Sequence, residues 1–598
     1  MKKRRLSRMA RQIPLIMLGL SFVTARAAEM TKPDLALTGG MVFDGTGAPA
    51  REETILIGGG RIVAIGPDVT VPSGLRVIAL HGAAVTPGLY DLHTHWTPAG
   101  SPADIPGIAQ AYLRSGVTTV SDFNEAPEAF APLREWLSHI PSPHVNYAAR
   151  ISTPGGHGAD WADENTTRWI SSPDSARAAL DAVAAYHPDL IKIFTDGWRY
   201  GHMPDNTSMN EATLGAAVAQ AHRHGLKVMT HTVTIERGLI AARAGVDALA
   251  HGLQDHVLTP DEAQFIRSRN MGDIPTLSVY DPAPWAQSGA KKVVSDTHLF
   301  DNALANVGIL YRAGVVIGVG TDAGMPATPH GASTLHELEL LVRAGLTPAE
   351  ALVAATRSSA YLLAQDHDRG TLAPGMRADL AVFDGRPWEK IGDIHHLLMT
   401  FVDGHMVFGP QSESSLRDWM PVPPARALPA GSVIDDFERI DGRTPLDTLP
   451  TEAMDRGPDR SVEVLSVIPR ESGEGHILVM TAQMAAQKAP YAGVVFPLSR
   501  GAVLPVDVGA GKGIAFEARG RDCPAELIVT GLAGTSWSAP FAVRKDWSTI
   551  HVAFTDLRPV KARNSLAWSG RDVTAVELRQ SCPAGSNAWL SLDTLRLE

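Results

Sequence analysis

The chain contains 598 residues, of which 44% are hydrophobic, and it carries a formal charge of −11 and two cysteines. A chain of this size and hydrophobic content exceeds one ordinary domain and can bury large cores. We therefore expect two or three folded domains and exclude a disordered or fibrous protein. The acidic balance argues against nucleic-acid binding, which depends on a basic surface.

Residues 1–27 have the layout of a secretory signal peptide. Six lysines and arginines in the first 11 residues precede an apolar run at 13–23, and the pattern Ala25-Arg26-Ala27 follows. The run is too short for a comfortable membrane span, so we predict cleavage after Ala27 and a periplasmic or secreted protein without a stable membrane anchor. Arg4-Arg5 leaves Sec and twin-arginine export both open. The mature chain would carry 46 basic and 64 acidic residues, a formal charge of −18.

Two segments with short alternating strands flank the central part of the chain. Residues 35–80 alternate apolar and polar positions between Gly-Gly and Asp-Gly turns, which is typical of antiparallel strands. A related pattern returns in ADLAVFDG (378–385) and MTFVDGHMVFG (399–409). We therefore predict that residues 28–85 and 366–408 form one small β-sandwich.

Residues 86–365 alternate buried strand-like runs with amphipathic helical ones. Runs such as LIKIFTDG (190–197), KVMTHTV (227–233), IPTLSV (274–279) and VVIGVGTDAG (315–324) indicate strands, whereas PAEALVAATRSSAYLLA (348–364) indicates a helix. About eight β/α units over this length are typical of a (β/α)8 TIM barrel. The predicted fold class is therefore α/β.

Polar side chains stand at the ends of the predicted barrel strands, where this fold carries its functional groups. The pair His93 and His95 lies on one face of an extended strand, although two ordinary surface histidines would give the same motif. Burying several titratable groups without a shared partner is costly, so their convergence predicts a site for two divalent cations. Carbon dioxide would convert the amine of Lys192 into an anionic carbamate bridge. The set consists of His93, His95, Lys192, His231, His251 and Asp322.

Motifs that would indicate a second metal-binding pair, a serine hydrolase or a nucleotide-binding protein have little support in this sequence. His222 and His224 also form an HxH pair, but they fall on a predicted helix, where residues two apart point in different directions. Neither a GxSxG elbow nor a Walker phosphate loop is found. The sequence therefore gives little support to a serine hydrolase or a nucleotide-binding protein.

The motifs PGLYDLHTH, IKIF, VMTHT, ALAHG and GTDAG together resemble the binuclear metal-dependent amidohydrolase superfamily over residues 35–408. ISTPGGHG (151–158) is most similar to its prolidase-like and imidazolonepropionase-like branch. The resemblance implies that His93, His95 and Asp322 hold one metal ion and that His231 and His251 hold the other. Carboxylated Lys192 and a hydroxide would bridge the two ions, for which zinc is the expected metal.

This resemblance also implies a reaction. The bridging hydroxide would attack an amide bond of a dipeptide or an N-acyl amino acid, and Asp322 would pass the proton of the water to the leaving nitrogen. Hydrolysis of a cyclic amide or lactone at the same site is one alternative, and a non-catalytic glycan-binding or partner-binding protein is another. Oligomeric state is not predicted.

Four further residues are candidates for substrate contacts. His157 follows predicted strand 3, Arg199 and Tyr200 follow the lysine strand, and His330 follows Asp322. Each of the four also suits an ordinary loop position, because loops at the mouth of a barrel carry both kinds of residue. A substrate-binding role is therefore a hypothesis for each of them.

The remainder of the chain predicts a linker and an all-β domain. Residues 409–432 contain five prolines, and short alternating strands follow over 433–598. VIDDFERID (433–441), WSTIHVAFTDL (547–557) and WLSLDTLRLE (589–598) resemble the complex I intermediate-associated protein family, which implies a jelly-roll-like accessory domain that contacts a glycan or a protein. Cys523 and Cys582 predict one disulfide in an exported protein, with two buried thiols as the alternative.

Overall fold

The structure is a computed structural model that describes residues 32–98, 100–159, 166–197, 205–284, 297–410, 422–455, 460–560 and 568–598. The predicted signal peptide lies outside these residues. Within them, we find no helix that is both long enough and apolar enough to cross a membrane. The chain begins with five strands, which are β1 (Leu35–Val42), β2 (Arg51–Gly58), β3 (Arg61–Gly66), β4 (Arg76–Ala79) and β5 (Ala84–Pro87).

A parallel sheet forms the centre of the molecule. Its strands are β6 (Leu89–Thr94), β7 (Val117–Asp122), β8 (His144–Ser152), β9 (Thr167–Trp169), β10 (Leu190–Phe194), β11 (Lys227–His231), β12 (Ala248–Leu249) and β13 (Gly272–Asp273). Hydrogen-bonded neighbours follow the order β6-β7-β8-β10-β11-β12-β13, and β9 pairs with β8.

Residues 315–323 connect the two edges of this parallel sheet. The Gly318 amide donates to the carbonyl of Asp273 on β13 at 2.9 Å, and the Leu92 amide on β6 donates to the carbonyl of Val319 at 2.8 Å. The sheet therefore curls so that its two edges meet, which is consistent with the predicted (β/α)8 barrel.

The helices of the central region separate its strands in the chain. They are α1 (Ile105–Leu113), α2 (Phe130–Ser138), α3 (Pro173–Ala184), α4 (Glu211–Arg223), α5 (Ile235–Ala244), α6 (Pro260–Ser268), α7 (Leu277–Tyr280), α8 (Thr297–Arg312), α9 (Ala332–Arg343), α10 (Pro348–Val353) and α11 (Ser359–Leu362). Thr347 caps α10 in a reciprocal box with Glu350, and a π-helical turn at Ala354–Ser358 joins α10 to α11. Short 3-10 turns lie at Pro102–Asp104, Pro127–Ala129, Ile391–His395, Arg500–Ala502 and Phe554–Asp556.

Two of the predicted strands are wrong. Residues 274–279 contain the start of helix α7, because Pro275 has no amide for a ladder and Thr276 adopts the left-handed conformation at φ 47° and ψ 45°. Residues 315–324 form isolated bridges instead of a strand, and the backbone turns at Asp322, where φ is 61°. Both departures occur beside predicted site residues.

The interior of the parallel sheet is apolar at one level and polar at the next. Leu190 and Met229 belong to a fully buried cluster inside the curled sheet. Lys192 and His231 follow them by two residues on the same strands, and side chains alternate along a strand. Both polar groups therefore face the same side as the apolar cluster, one step closer to the carboxyl end of the sheet.

After the central region, the chain returns to the sheet that contains β1–β5. Strands β14 (Leu380–Phe383), β15 (Leu397–Val402) and β16 (His405–Phe408) extend it to eight strands, and β14 pairs antiparallel with β5. This sheet has its own apolar cluster, which includes Leu37, Ile55 and Phe401. Strands from both sides of the central region thus share one sheet.

The residues from 426 to 598 form two further β-sheets, which we call the C-terminal β unit. The two sheets share one apolar core that includes Met480, Phe496 and Leu527, and Cys523 is joined to Cys582 by a disulfide. A short strand, β17 (Arg426–Ala427), lies inside the predicted linker and pairs with β23 (Val506–Asp507). The jelly-roll topology remains a prediction.

The C-terminal β unit contains fourteen strands among its described residues. They are β17 (Arg426–Ala427), β18 (Val433–Asp435), β19 (Thr451–Met454), β20 (Val462–Pro469), β21 (His476–Gln483), β22 (Ala492–Pro497), β23 (Val506–Asp507), β24 (Gly513–Gly520), β25 (Ala525–Gly531), β26 (Ser536–Phe541), β27 (Ser548–Ala553), β28 (Arg558–Pro559), β29 (Val573–Gln580) and β30 (Asn587–Leu597).

Candidate active site

The six strand-end residues of the sequence analysis meet at the carboxyl end of the parallel sheet, and we call them the catalytic cluster. All are at least largely buried, which brings titratable groups out of water at one place. A shared function has to offset that cost. The catalytic cluster consists of His93, His95, Lys192, His231, His251 and Asp322.

Asp322 lies between the two histidines of the HxH motif. Its Oδ1 is 3.0 Å from Nε2 of His95 and 3.3 Å from Nε2 of His93. The backbone of Asp322 is in the left-handed region, which non-glycine residues rarely adopt, and its amide donates to the carbonyl of His93 at 2.8 Å. This turn directs the carboxylate across the end of β6.

Lys192 is buried among aromatic rings and imidazoles. Its Nζ is 3.4 Å from Nε2 of His93 and 4.6 Å from the ring centre of Phe123, and 1% of the residue is exposed. Burial lowers the pKa of Lys192 to about 7, an effect that the charge of Asp322 opposes. The amine is therefore neutral in a substantial fraction of molecules near neutral pH, and the neutral amine is the form that reacts with carbon dioxide.

The imidazoles of the catalytic cluster are packed against one another. The ring centres of His93 and His251 are 4.6 Å apart, and those of His231 and His251 are 4.4 Å apart. Burial, and then the neighbouring imidazoles and Lys192, lower the pKa of His93, His231 and His251 well below the usual value for histidine. These rings are therefore neutral at physiological pH, which is the form that binds a metal ion.

The orientation of His251 is set by two hydroxyl groups. Its Nδ1 lies 2.8 Å from Oγ1 of Thr276 and 3.2 Å from the hydroxyl of Tyr280. Contacts at one ring nitrogen direct the other, here Nε2, towards a metal ion. Thr276 lies in the segment predicted as a strand, Tyr280 directly follows that segment, and no sequence motif marks either residue.

The donor set fits divalent cations. Ligand atoms of His93, His251 and Asp322 lie within 4.8 Å of one another. Imidazole nitrogens and a carboxylate oxygen are ligands that zinc and related ions accept. His93 and Asp322 belong to one predicted ligand set and His251 belongs to the other, so this group contains predicted ligands of both ions.

Two of the four predicted substrate-contact residues can be placed. The His157 ring stacks on His231 with ring centres 4.2 Å apart, so it lies directly beside the catalytic cluster. His330 lines a cavity of about 390 Å³, and its Nδ1 is 2.9 Å from the hydroxyl of Tyr112. Burial, followed by His95, lowers the pKa of His330 to about 4. Arg199 and Tyr200 lie outside the described residues.

The side chains of the second HxH pair, His222 and His224, point to different partners, as predicted for residues on a helix. His222 pairs with Asp247 at 2.8 Å, and His224 pairs with Asp181 at 2.7 Å, on neighbouring elements of the barrel exterior. Their two imidazoles therefore have different partners and do not form one ligand set.

Comparison with known proteins places these observations in a family. A model described as the amidohydrolase family matches residues 84–407, which is more than half of the chain. Imidazolonepropionase from Deinococcus radiodurans is 27% identical over 372 residues, which cover 57% of this chain and 88% of that protein. Imidazolonepropionase from Salmonella schwarzengrund is 26% identical over 370 residues, with 56% and 86% covered.

Solved structures show the same fold. A Bifidobacterium longum protein considered a prolidase is 28% identical with a TM-score of 0.55, and the match covers 65% of this chain and 97% of that one. A Xaa-Pro dipeptidase with methionine bound in its active site is 22% identical with a TM-score of 0.55, covering 63% and 100%. The second likeness concerns the fold alone.

Proposed function

The chain belongs to the amidohydrolase family, and from that premise we propose that it hydrolyses the amide bond of a dipeptide or an N-acyl amino acid. Its relatives among the imidazolonepropionases and prolidase-like proteins indicate a metal-dependent hydrolase that acts on C–N amide bonds. The observation that carries the proposal is the meeting of four side chains at the carboxyl end of the sheet. Oδ1 of Asp322 lies 3.0 Å from Nε2 of His95 and 3.3 Å from Nε2 of His93, and Nζ of Lys192 lies 3.4 Å from Nε2 of His93.

We propose that the catalytic cluster holds two zinc ions. His93, His95 and Asp322 would hold one ion, His231 and His251 the other, and carboxylated Lys192 would bridge them. When bound, divalent ions supply Lewis acidity that activates water and polarises the carbonyl of the amide. The buried, neutral imidazoles and the inward-facing Lys192 support this assignment.

Two residues of the chain have proposed roles that go beyond metal binding. Asp322 accepts the proton of the attacking water and returns it to the leaving nitrogen, because its carboxylate projects into the site and retains 13% exposure. His157 contacts the carbonyl oxygen of the substrate. The stacking of its ring on His231, with ring centres 4.2 Å apart, supports that role, because it places the imidazole beside the proposed metal ligands.

The relatives favour two classes of substrate. The 28% identity to the Bifidobacterium longum protein considered a prolidase supports a linear peptide-like amide. The matches to imidazolonepropionases favour a second candidate, in which the amide belongs to a ring, since an imidazolone is a cyclic amide. Both reactions use the same cluster and differ in the groups around it.

A substrate panel distinguishes the two candidates. We expect protein prepared with zinc and bicarbonate to contain about two ions per chain and to hydrolyse members of a dipeptide and N-acyl-amino-acid panel. Protein stripped by a chelator is the control and should be inactive until zinc is restored. Turnover confined to cyclic amides or lactones would replace the first candidate by the second, and turnover that survives metal removal would contradict both.

We also propose that the protein is exported with cleavage after Ala27. The basic and apolar layout of residues 1–27 supports export, and so does the disulfide between Cys523 and Cys582, since disulfides persist in oxidising compartments. Expression of the full chain in a bacterium, followed by fractionation and N-terminal sequencing, should give a periplasmic or secreted protein that starts at Ala28. A cytoplasmic protein that retains residues 1–27 would contradict the proposal.

A further inference from the structure

The C-terminal β unit contacts the barrel on its catalytic face. The loops that follow β6, β7 and β8 all touch it, and these are three consecutive loops at the carboxyl end of the sheet. In the first loop, the Ala103 amide donates to the carbonyl of Leu532 at 3.4 Å, and Gly534 lies against Ser101. The β unit therefore lies against the loops that surround the catalytic cluster.

Ion pairs fix the second loop to the β unit. Arg443 holds Glu128 in a bidentate pair at 2.6 and 3.1 Å, and Nε of Arg500 is 3.1 Å from the same carboxylate. Burial alone would raise the pKa of Glu128, but the hydrogen bonds and charges of its partners lower it below the usual range. Paired guanidinium and carboxylate groups give a contact with a fixed geometry.

Close packing accompanies these ion pairs. Val503 of the β unit belongs to the same apolar core as Ala129 and Phe130 of the barrel. Gly501 has φ +68°, and a Cβ atom there would be 2.6 Å from the Cα atom of Ala129. The interface leaves no room for even one methyl group at this point, so the β unit and the barrel are closely packed there.

The third contact reaches the loop that carries His157. The guanidinium of Arg460 donates to the carbonyl of Ala159 at 2.8 Å, two residues beyond His157. The Ala159 amide donates to the carbonyl of Gly156 at 3.1 Å, and the hydroxyl of Ser152 donates to the carbonyl of His157 at 2.6 Å. A contact from the β unit therefore acts on the same short loop whose histidine lies against the catalytic cluster.

We propose that the C-terminal β unit completes the active site, with Arg460 as a positioning residue that holds the His157 loop in its catalytic conformation. Arg460 touches a backbone carbonyl of that loop and is not a member of the catalytic cluster. The part of the proposal that concerns substrate rests on the proposed function, because it uses the substrate contact of His157. The structural part stands on the interface alone.

The physical reason is the cost of ordering a loop. A short loop beside a barrel mouth samples many conformations, and the entropy of fixing it is lost when the substrate binds unless the protein has already ordered it. A misplacement of about 1 Å can lower a rate by about 100-fold. A charged donor from a second folded unit orders the loop before the substrate arrives.

Arg460→Met tests this inference, because methionine keeps much of the side-chain length and removes the donors. Hydrogen–deuterium exchange of residues 151–159 should become about 10-fold faster or more, as expected when a hydrogen bond to a charged group is lost. With any amide that the wild type hydrolyses, kcat should fall by about 10-fold to 100-fold while two metal ions per chain are retained. Arg460→Lys should recover part of both changes.

The matched control is Arg558→Met. Arg558 also donates to backbone carbonyls, at 2.8 and 2.9 Å, but those carbonyls belong to Thr555 and Leu557 of its own β unit. Exchange and kcat that are the same in Arg460→Met and Arg558→Met would overturn the inference. The exchange experiment needs no substrate. A protein without amidase activity would therefore contradict the proposed function, while the exchange rates of residues 151–159 would still test the role of Arg460.

Discussion

Two groups of histidine and aspartate lie at opposite ends of the parallel sheet, and both satisfy the spacing of a metal site. His93, His251 and Asp322 belong to the catalytic cluster at the carboxyl end. His144, Asp379 and Asp403, which we call the basal cluster, lie where β8 begins, next to the sheet that contains β14–β16. In each group, the ligand atoms are within 4.8 Å of one another.

The two clusters differ in what surrounds them. In the basal cluster, Nε2 of His144 is 3.2 Å from Oδ2 of Asp379, and Arg377 pairs with Asp403. The carboxylates there already have cationic or hydrogen-bonding partners from the chain. In the catalytic cluster, the buried groups are imidazoles and an amine whose protonated forms are disfavoured. The comparison indicates that a metal site needs neutral ligand groups with available lone pairs, in addition to suitable spacing.

The largest expected effect follows from the removal of a ligand in the catalytic cluster. His93→Ala should lose bound metal and lower kcat/KM by more than about 1,000-fold, because the Lewis acidity of a divalent ion stabilises the transition state by several kcal/mol. Elemental analysis and steady-state kinetics on the same preparation measure both quantities. His222→Ala is the control, because that histidine belongs to the other HxH pair and has a separate partner. Full metal content in His93→Ala would disprove the assignment.

Asp322→Asn should have the next largest effect. The amide keeps the shape of the carboxylate but cannot accept and return a proton, so kcat should fall by about 100-fold to 10,000-fold. We expect KM to change much less, because the substrate contacts of the loops remain. A variant that keeps wild-type kcat would show that another group transfers the proton.

Thr276→Val should have a moderate effect on metal binding. Valine has the same shape but lacks the hydroxyl group that lies 2.8 Å from Nδ1 of His251. Loss of such an outer partner typically lowers metal affinity by about 10-fold to 100-fold. Competition with a chelator measures the affinity, and Thr276→Ser should remain close to wild type because it retains the hydroxyl. Equal metal affinities of the Val and Ser variants would show that Tyr280 alone orients the His251 ring.

The sequence predicted one class of feature and missed another. Lys192, His231 and the HxH pair could be found because a polar side chain in an apolar strand is a local irregularity, and the barrel rule states where strand ends meet. Thr276 could not be found, because its contact with His251 depends on a left-handed backbone that β-branched residues seldom adopt. The pairing of Glu128 with Arg443 joins positions more than 300 residues apart, and nothing in the local pattern of either segment reports it.

Asp403→Asn applies to the basal cluster the same chemical change that Asp322→Asn applies to the catalytic one, and it should have the smallest effect. Asp403 is 39% exposed against 13% for Asp322, and its backbone has φ 48°, a conformation that asparagine tolerates well. Metal content and kcat should stay at wild-type values, and the free energy of unfolding should fall by about 1 kcal/mol or less, as is usual for an exposed ion pair. Elemental analysis and denaturant unfolding measure these quantities. Loss of one bound ion would show that the basal cluster binds metal, and that the pairing of its carboxylates with Arg377 and His144 does not prevent it.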